Sequence, residues 1–444
     1  MASLNLASEQ LALESGEAWS RYRPIKVIDI HLDRPLETIS GLHRFSLVQA
    51  LVRLHGAPLG WARIPIHGDR CLVTAQRRAI RKQLRWQTVL HVLEDRLRTG
   101  TRTASGVQLR RVPDGGLEKP SVTVAVCTRD RPDNLEICLA SMDRIENDLL
   151  EVIVVDNAPS SEATRRLVAS QGRGFRYVRE DRPGLDWARN RAIVEARGDV
   201  IAFTDDDCVV DPEWTGAVAL TFAESPEVSA VTGLVVPYEL ETEAQILFEA
   251  YGGFGRGFRR RWHQVSPKGR AHIGSGNFGT GANMAFRRST LEHLGGFDPA
   301  LDVGTVTNGG GDIEMFFRVL QEGGTLVYEP AAIVRHRHRH DYASLHRQLT
   351  DHGIGFFSYL TRSMTAYPDQ LRNFLWFTRW WLRWWILRRI VRSLISPASF
   401  PIDLILAELK GGVKGLTRYR RSARRADRIR SGAMEPPPHP EPPC

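Results

Sequence analysis

The chain has 444 residues, of which 42% are apolar and 25% are charged, proportions that are typical of soluble globular proteins. At roughly 150 residues per domain, this length predicts two or three domains. We find no amino-terminal secretory signal and no run of the ~18 apolar residues that a membrane-spanning helix requires. The five cysteines are scattered without C-x-x-C pairs, which argues against a disulfide scaffold and a zinc site and favours a reducing cytosol.

The net charge of +9 is concentrated towards the carboxyl end. Residues 372–430 contain 15 Lys and Arg against three Asp and Glu, whereas the rest of the chain is nearly neutral. Such a basic segment predicts contact with an anionic surface, and the near-neutral remainder argues against a catalytic body that binds nucleic acid.

Residues 1–118 are predicted to be an accessory α+β module with a linker. Apolar or alternating stretches predict three strands, at 25–32, 47–54 and 61–66. Pro65 favours an edge position for the third strand. Residues 79–97 have apolar residues at helical spacing, and the Gly-, Thr- and Arg-rich residues 98–120 are typical of a linker. No chemistry is evident in this region.

Residues 119–345 predict a doubly wound α/β domain. Buried strands at 122–127 and 151–157 begin about 30 residues apart, the length of one β-α-β unit, which gives a parallel sheet. Sheets of this kind bind nucleotides at the carboxyl ends of their strands. The first strand is followed by neither G-x-G-x-x-G nor G-x-x-x-x-G-K-[ST], which disfavours a dinucleotide fold and a P-loop enzyme.

Three consecutive carboxylates, Asp205, Asp206 and Asp207, directly follow a buried strand at 200–203. Like charges this close repel each other, so the arrangement favours a cation that neutralises them. Oxygen ligands without sulfur or imidazole close in sequence are typical of a hard cation, Mg²⁺ or Mn²⁺, whose coordination shell substrate phosphates complete. A solvated acidic turn is the alternative, since short motifs give many false matches.

Seven short motifs follow one another between residues 120 and 340. They are V-C-T-R-D-R-P at 126–132, V-V-D-N at 154–157, G-L-D-W-A-R-N at 184–190, T-D-D-D at 204–207, G-T-G-A-N-M-A-F at 279–286, G-G-F-D at 295–298 and G-G-D-I-E-M at 310–315. In this order they resemble the inverting glycosyltransferases of family 2. The resemblance implies the GT-A fold, which has a Rossmann-like, mostly parallel central sheet with flanking helices. It also implies transfer of a sugar from a UDP-, dTDP- or GDP-linked donor to a hydroxyl of a glycan or lipid-linked acceptor.

The same resemblance assigns roles to single residues. It implies that Asp205, Asp207 and His336 bind a Mn²⁺ or Mg²⁺ ion. The residues that it places around the nucleotide are Thr128, Arg131, Asp156, Arg189, Asn190 and Asp205. The alternatives are a turn-capping role for Asp156 and a solvent-facing position on a helix for Arg189.

Asp312 is the expected catalytic base, because it follows three glycines and opens a predicted helix at 313–322 on the acceptor side. In-line attack with a single displacement would invert the anomeric carbon, without the covalent intermediate of retaining hydrolases. A helix-capping acid is the alternative for Asp312. Family members commonly have Glu where this chain has Gly311, which makes Glu314 the second candidate.

Three further segments are expected to surround the site. The glycine-rich residues 274–283 should not form a helix and should shape the donor-sugar pocket. The aromatic and glycine-rich residues 248–258 predict an acceptor loop or a mobile lid. His336, His338 and His340 would point to one side if extended. Basic residues that offset diphosphate charge, or a solvated strand, are the alternatives to a metal ligand at His336.

Residues 346–430 predict a helical region rich in Trp and Arg, and residues 431–444 predict a disordered Pro-rich tail. Trp and Arg together favour the headgroup boundary of a membrane, which residues 372–430 would contact. The alternative is a helical subdomain with the tryptophans in its core.

The leading hypothesis is a metal-dependent glycosyltransferase that is cytoplasmic and peripheral at the inner face of the cell membrane, without nucleic acid as a partner. A sugar-nucleotide nucleotidyltransferase is the second hypothesis, although the loop at 128–132 lacks the glycines of that class. A non-catalytic basic membrane adaptor is the third.

Overall fold

The computed structural model describes residues 23–99, 117–145, 149–172, 174–265, 271–397 and 400–432. Most of the predicted linker and nearly all of the predicted Pro-rich tail lie outside the described residues.

In these ranges the chain forms the strands β1 (Ile25–His31), β2 (Leu47–Leu54), β3 (Ala57–Pro65), β4 (Val122–Thr128), β5 (Leu149–Asn157), β6 (Arg176–Glu180), β7 (Val200–Asp205), β8 (Cys208–Val210), β9 (Val228–Pro237), β10 (Arg261–His263), β11 (Met284–Arg287) and β12 (Thr325–His336). The helices are α1 (Val73–Thr99), α2 (Pro132–Met142), α3 (Ala163–Ser170), α4 (Leu185–Glu195), α5 (Trp214–Glu224), α6 (Glu243–Tyr251), α7 (Arg288–His293), α8 (Gly311–Gln321), α9 (Tyr342–Ala366), α10 (Leu371–Trp380), α11 (Leu387–Ile395) and α12 (Ile402–Arg430). A π-helical turn, Trp381–Ile386, joins α10 to α11.

The amino-terminal module is a sheet, in the order β1-β2-β3, with α1 packed against it. Strand β1 is parallel to β2, and β3 is antiparallel to β2 at an edge. The β2–β3 turn consists of His55 and Gly56 at φ of 53° and 81°, which matches the tight hairpin turn with two positive φ angles. Strand β3 therefore begins at Ala57, earlier than the strand predicted at 61–66.

The large sheet has the order β10-β12-β9-β11-β7-β4-β5-β6, and β8 pairs with β12. Strands β7, β4, β5 and β6 are parallel, as expected. Strand β11 lies antiparallel between β7 and β9, and β10 and β8 are antiparallel to β12. The sheet is therefore mixed, whereas the sequence predicted a mostly parallel one, because the short β11 returns through its centre.

Both faces of this sheet are covered by helices, which explains why its strands lack apolar-polar alternation. Val124 and Val126 of β4 pack with α2 and α5, whereas Ala125 and Cys127 pack with α4 and α8. Every residue of β4 is buried as a result.

The glycine-rich segment differs from its prediction, because part of it is helical. Residues Ala271–Asn277 form a 3-10 helix, although residues 274–283 were not expected to be helical. A short 3-10 turn needs only i to i+3 hydrogen bonds, which glycines permit. The helix is interrupted at Gly274, where φ is −81° and ψ is 40°.

Helices α9 and α12 pack closely at their glycines. A Cβ on Gly353 would lie 2.1 Å from the backbone oxygen of Glu408, and one on Gly411 would lie 2.0 Å from that of Thr350. Trp381 is 7% exposed and packs against Phe356 and Phe357. Trp376, Trp380 and Trp384 are 47%, 38% and 59% exposed, so some tryptophans build the core while others face outward. Across the described ranges, no helix combines the length and apolar character needed to cross a membrane.

The amino-terminal module contacts the large sheet through both apolar and charged groups. Leu51 packs with Leu234 and Ile333. The buried Arg53 Nη1 donates to Asp211 Oδ2 at 2.6 Å. The module is thus tied to the domain that carries the acidic motif.

Candidate active site

The carboxyl ends of β4, β5 and β7 lie side by side at one edge of the sheet. In the strand register Thr128 is opposite Asp156, and Cys127 is opposite Asp205. A cavity of 4110 Å³ opens at this edge, and most of the predicted site residues line it: Thr128, Arg131, Arg189, Asp205, Asp207, Asp312 and His336. Seven predicted residues from different parts of the chain therefore share one cavity.

Asp207 and His336 form the part of the site that suits a cation. Asp207 is 6% exposed, and its Oδ1 lies 3.4 Å from His336 Nε2. This Oδ1 is buried and accepts no hydrogen bond from any described residue, so its lone pairs are available to a cation. Burial lowers the pKa of His336 to about 4, which keeps its imidazole neutral and able to bind a metal. A carboxylate oxygen and an imidazole nitrogen fit Mn²⁺ well.

Cys208 also lies within ligand distance of this pair, since the ligand atoms of Asp207, Cys208 and His336 are all within 4.8 Å of one another. Burial raises the pKa of the Cys208 thiol well above its usual value, so it stays protonated. A protonated thiol is a poor ligand for a hard cation. The chemistry of the donor set therefore selects Asp207 and His336.

Asp206, for which the sequence predicted no separate role, accepts hydrogen bonds from two residues that are predicted to bind the nucleotide. Thr128 Oγ1 donates to its Oδ2 at 2.8 Å, and Arg131 Nη1 donates to its Oδ1 at 2.6 Å. Arg131 Nη2 also donates to Asp207 Oδ2 at 3.3 Å. Asp206 thus anchors the loop at 128–132 to the acidic turn at 205–207. Arg131 neutralises part of the charge of this turn.

Arg189 is buried, in contrast to the alternative of a surface position on a helix. Its Nη1 donates to Asp186 Oδ1 at 3.0 Å, and its Nη2 lies 4.0 Å from Asp205 Oδ1. Burial raises the pKa of Asp186 to about 7, although Arg189 opposes the shift. The guanidinium therefore places a fixed positive charge in the cavity, next to the acidic turn.

Asp312 lies in the first turn of α8 and faces the same cavity. Its Oδ2 accepts from the backbone N–H of Gly281 at 2.7 Å. A Cβ on Gly281 would lie 2.6 Å from Arg189 Nη2 and 3.3 Å from Asp312 Oδ2, so glycine allows the two side chains to approach. Glu314, the second candidate for the base, is fully buried and forms ion pairs with Arg318 and Arg362, and it does not line the cavity.

Residues 123–295 match the family model described as Glycosyl transferase family 2. These residues form a family 2 glycosyltransferase domain. The family that the seven motifs predicted is thus confirmed, and the α/β sheet with flanking helices is the GT-A fold that was expected.

Curated relatives of the domain are distant. Polypeptide N-acetylgalactosaminyltransferase 5 from Caenorhabditis elegans is 25% identical over 235 residues, which cover 49% of this chain and 37% of the relative. Glucosyl-dolichyl phosphate glucuronosyltransferase from Haloferax volcanii is 25% identical over 126 residues, which cover 28% of this chain and 37% of the relative. The chain therefore spans little more than a third of the length of these relatives.

Solved structures show a similar pattern of distant likeness. Mannosyltransferase PcManGT from Pyrobaculum calidifontis, solved in complex with GDP-Man and Mn²⁺, aligns with a TM-score of 0.46 at 18% identity. The alignment covers 74% of this chain and 94% of that chain.

Two residues of the family 2 domain that were predicted to bind the nucleotide, Asn190 and Asp156, do not line the cavity. The Asn190 side chain accepts from the backbone N–H of Phe297 and donates to its carbonyl, at 2.7 and 2.9 Å. Asp156 is fully buried, and its Oδ2 accepts from the Tyr177 hydroxyl at 3.0 Å. Asn190 thus fixes the loop of the G-G-F-D motif instead of facing the cavity. Asp156 is buried below the sheet edge at which the cavity opens.

In the histidine cluster, His336 and His338 stay in contact beyond the end of β12 at His336, whereas His340 separates from them. The Nδ1 atoms of His336 and His338 lie 3.0 Å apart, and His338 Nε2 lies 2.8 Å from Glu249 Oε1. His340 instead pairs with Glu239 and is exposed. Because the strand does not continue, the three side chains do not share one environment. The contact between Glu249 and His338 was not predicted, since it joins residues 89 positions apart in the sequence.

Proposed function

We propose that this chain transfers a sugar from a nucleotide-diphospho-sugar to a hydroxyl acceptor, with inversion at the anomeric carbon. One observation supports this most strongly: the free carboxylate oxygen of Asp207 and the neutral His336 share a cavity with Arg189 and Asp312. A cation site, a fixed positive charge and a separate carboxylate are the parts that an inverting transfer needs.

In this proposal Asp207 and His336 hold Mn²⁺ or Mg²⁺, and Asp205 faces the donor. The cation would supply Lewis acidity to the leaving diphosphate. Arg189 adds a guanidinium 4.0 Å from Asp205, suited to phosphate oxygens. Arg131 already pairs with Asp206 and Asp207, so it keeps the acidic turn compact before a donor binds.

Asp312 is the proposed base. Its Oδ2 accepts from the backbone N–H of Gly281, and its Oδ1 accepts from that of Ile313. These bonds fix the orientation of the carboxylate, which in this proposal takes the proton from the acceptor hydroxyl as the hydroxyl attacks.

The His336–His338–Glu249 chain supports His336 as the ligand. If His336 Nε2 keeps its lone pair for the cation, its Nδ1–H donates to His338 Nδ1, and His338 Nε2–H donates to Glu249. Every hydrogen bond in the chain then has one donor and one acceptor.

For the acceptor we propose a lipid-linked glycan or a polysaccharide at the inner face of the cell membrane. The cavity continues from the acidic turn to α10 and α11, where Trp380, Arg383, Trp384 and Arg388 line it. Indole rings and guanidinium groups together suit the boundary between lipid chains and phosphate headgroups. The acceptor named for the Haloferax relative is glucosyl-dolichyl phosphate, which is consistent with such a surface.

A panel of UDP-, dTDP- and GDP-sugars, incubated with the purified chain and Mn²⁺, tests the proposal. Slow hydrolysis of one donor to its nucleoside diphosphate is expected, with mass spectrometry as the readout. Release of pyrophosphate from a nucleoside triphosphate and a sugar phosphate would instead favour a nucleotidyltransferase. No turnover of any donor, together with vesicle binding, would favour a non-catalytic membrane adaptor.

A further inference from the structure

A second group of side chains with metal-ligating atoms, His55, His91 and Asp95, lies in the amino-terminal module and does not line the cavity. His55 is in the β2–β3 turn, while His91 and Asp95 are four residues apart on α1. Asp95 Oδ2 lies 2.6 Å from His55 Nδ1 and 3.2 Å from His91 Nε2. All three ligand atoms are within 4.8 Å of one another.

This group lies beside the second half of α1, which has little apolar packing against the module. Leu84 departs from helical geometry at φ −125° and ψ 16°, and it is the last buried residue of the helix among those whose burial is described. Between residues 85 and 96 the least exposed side chains are Thr88, His91, Val92 and Asp95. Their spacing of three and four residues places them on one face, towards the module. Apart from Val92, this face offers polar groups instead of apolar packing.

We propose that His55, His91 and Asp95 bind one Zn²⁺ ion, with water as a fourth ligand, and so clip the second half of α1 to the β2–β3 turn. Two imidazole nitrogens and one carboxylate oxygen are ligands that Zn²⁺ accepts. Ligands ~2.0–2.1 Å from a tetrahedral zinc are ~3.3 Å apart. The His91–Asp95 separation of 3.2 Å matches this value, and Asp95 needs only a small shift away from His55.

The sequence argued against zinc because it lacks paired cysteines, but this site needs none. Its ligands are separated by up to 40 residues and meet only after the hairpin packs on the helix. Since the ion joins two elements of the folded module, binding should stabilise the folded state. The proposal is independent of the proposed catalytic function.

Zinc titration of the full chain, stripped of metal with EDTA, tests the clip. We expect D207N, which weakens the catalytic cation site, to retain one equivalent of bound Zn²⁺. In the D207N background, H91Q and D95N should each lose that equivalent. H43Q, which replaces an exposed histidine of the same module outside the cluster, should keep it.

Thermal unfolding separates a lost site from a damaged fold. With EDTA present, H91Q, D95N and H55N should melt within ~1 °C of the parent, the chain without these three substitutions. Asparagine is chosen at position 55 because it tolerates the positive φ there. With Zn²⁺ present, the parent alone should gain a few degrees in Tm, on the order expected for ligand binding to the folded state. The proposal is overturned if the D207N chain binds no zinc. It is also overturned if H91Q and D95N bind as much zinc as their parent.

Discussion

Asp156 is the most deeply buried of the predicted nucleotide-binding residues, with no exposed side-chain surface. Burial raises its pKa from 3.8 to about 6, against the opposing hydrogen bond from Tyr177. A raised pKa means that the folded state binds a proton more tightly than the unfolded state. The resulting stabilisation is complete below pH 3.8 and is lost as the pH rises through about 6.

Replacing Asp156 with Asn should remove this pH dependence, since the amide cannot ionise but can still accept from Tyr177. Relative to D156N, the wild type should therefore lose stability between pH 4.5 and 7.5. Urea unfolding of both proteins across this range measures the difference. Parallel stability curves would contradict the assigned pKa.

The hydrogen-bonded chain from Glu249 to His336 makes a second prediction for a single residue. In E249Q, the amide is a weaker acceptor for His338 and should orient His336 less well. Loss of such an outer partner typically weakens metal binding by ~10–100-fold. Titration with Mn²⁺, followed by electron paramagnetic resonance, measures the affinity directly. E239Q, which alters the partner of the exposed His340, is the matched control and should bind Mn²⁺ as the wild type does.

The sequence predicted that Asp205, Asp207, Asp312 and His336 belong to one site, and they line one cavity. The prediction was possible because each residue belongs to a local motif or directly follows a predicted strand. It missed the role of Asp206, because nothing local indicates that Thr128 and Arg131, more than 70 residues away, hold the middle acid. It also assigned Asn190 to the nucleotide, since a motif specifies a position but not the direction of its side chain.

At the level of elements, the contact between α9 and α12 depends on glycine. Gly353→Ala would place a methyl group 2.1 Å from a backbone oxygen of the facing helix, which must then move. Overpacking of this kind typically costs ~1–3 kcal/mol. Chemical denaturation should detect the loss, and V413A, at a position of α12 that is 70% exposed, is the control. Unchanged stability of G353A would show that the two helices are not in close contact.

The elements also show the limits of prediction from a single sequence. Buried strands such as β4 and β7 were found because both faces are covered and the apolar runs are continuous. The insertion of β11 between β7 and β9 was not, because a four-residue strand has the same composition in a parallel or an antiparallel pair. Strand direction there is decided by long-range packing.

For the whole molecule, the exposed tryptophans and arginines of α10 and the following turn predict binding to anionic membranes. The full chain should co-sediment with vesicles that contain anionic lipid, and the bound fraction should fall as salt rises, since screening weakens each Arg contact. W384A should bind less, because it removes a ring that is 59% exposed. W86A, which removes a ring that is 67% exposed on α1, should bind as the wild type does. Equal losses in the two variants would refute a membrane surface at the carboxyl end.

The central claim is that one cavity holds the donor at Asp207 and activates the acceptor at Asp312. The most direct measurement compares D207N and D312N for Mn²⁺-dependent binding of the nucleoside diphosphate and for turnover of the donor identified by the panel. We expect D312N to keep binding and to lose ~10²–10⁴-fold in transfer, as for removal of a general base. D207N should lose Mn²⁺-dependent binding. Full transfer by D312N, or unchanged Mn²⁺-dependent binding by D207N, would contradict the account.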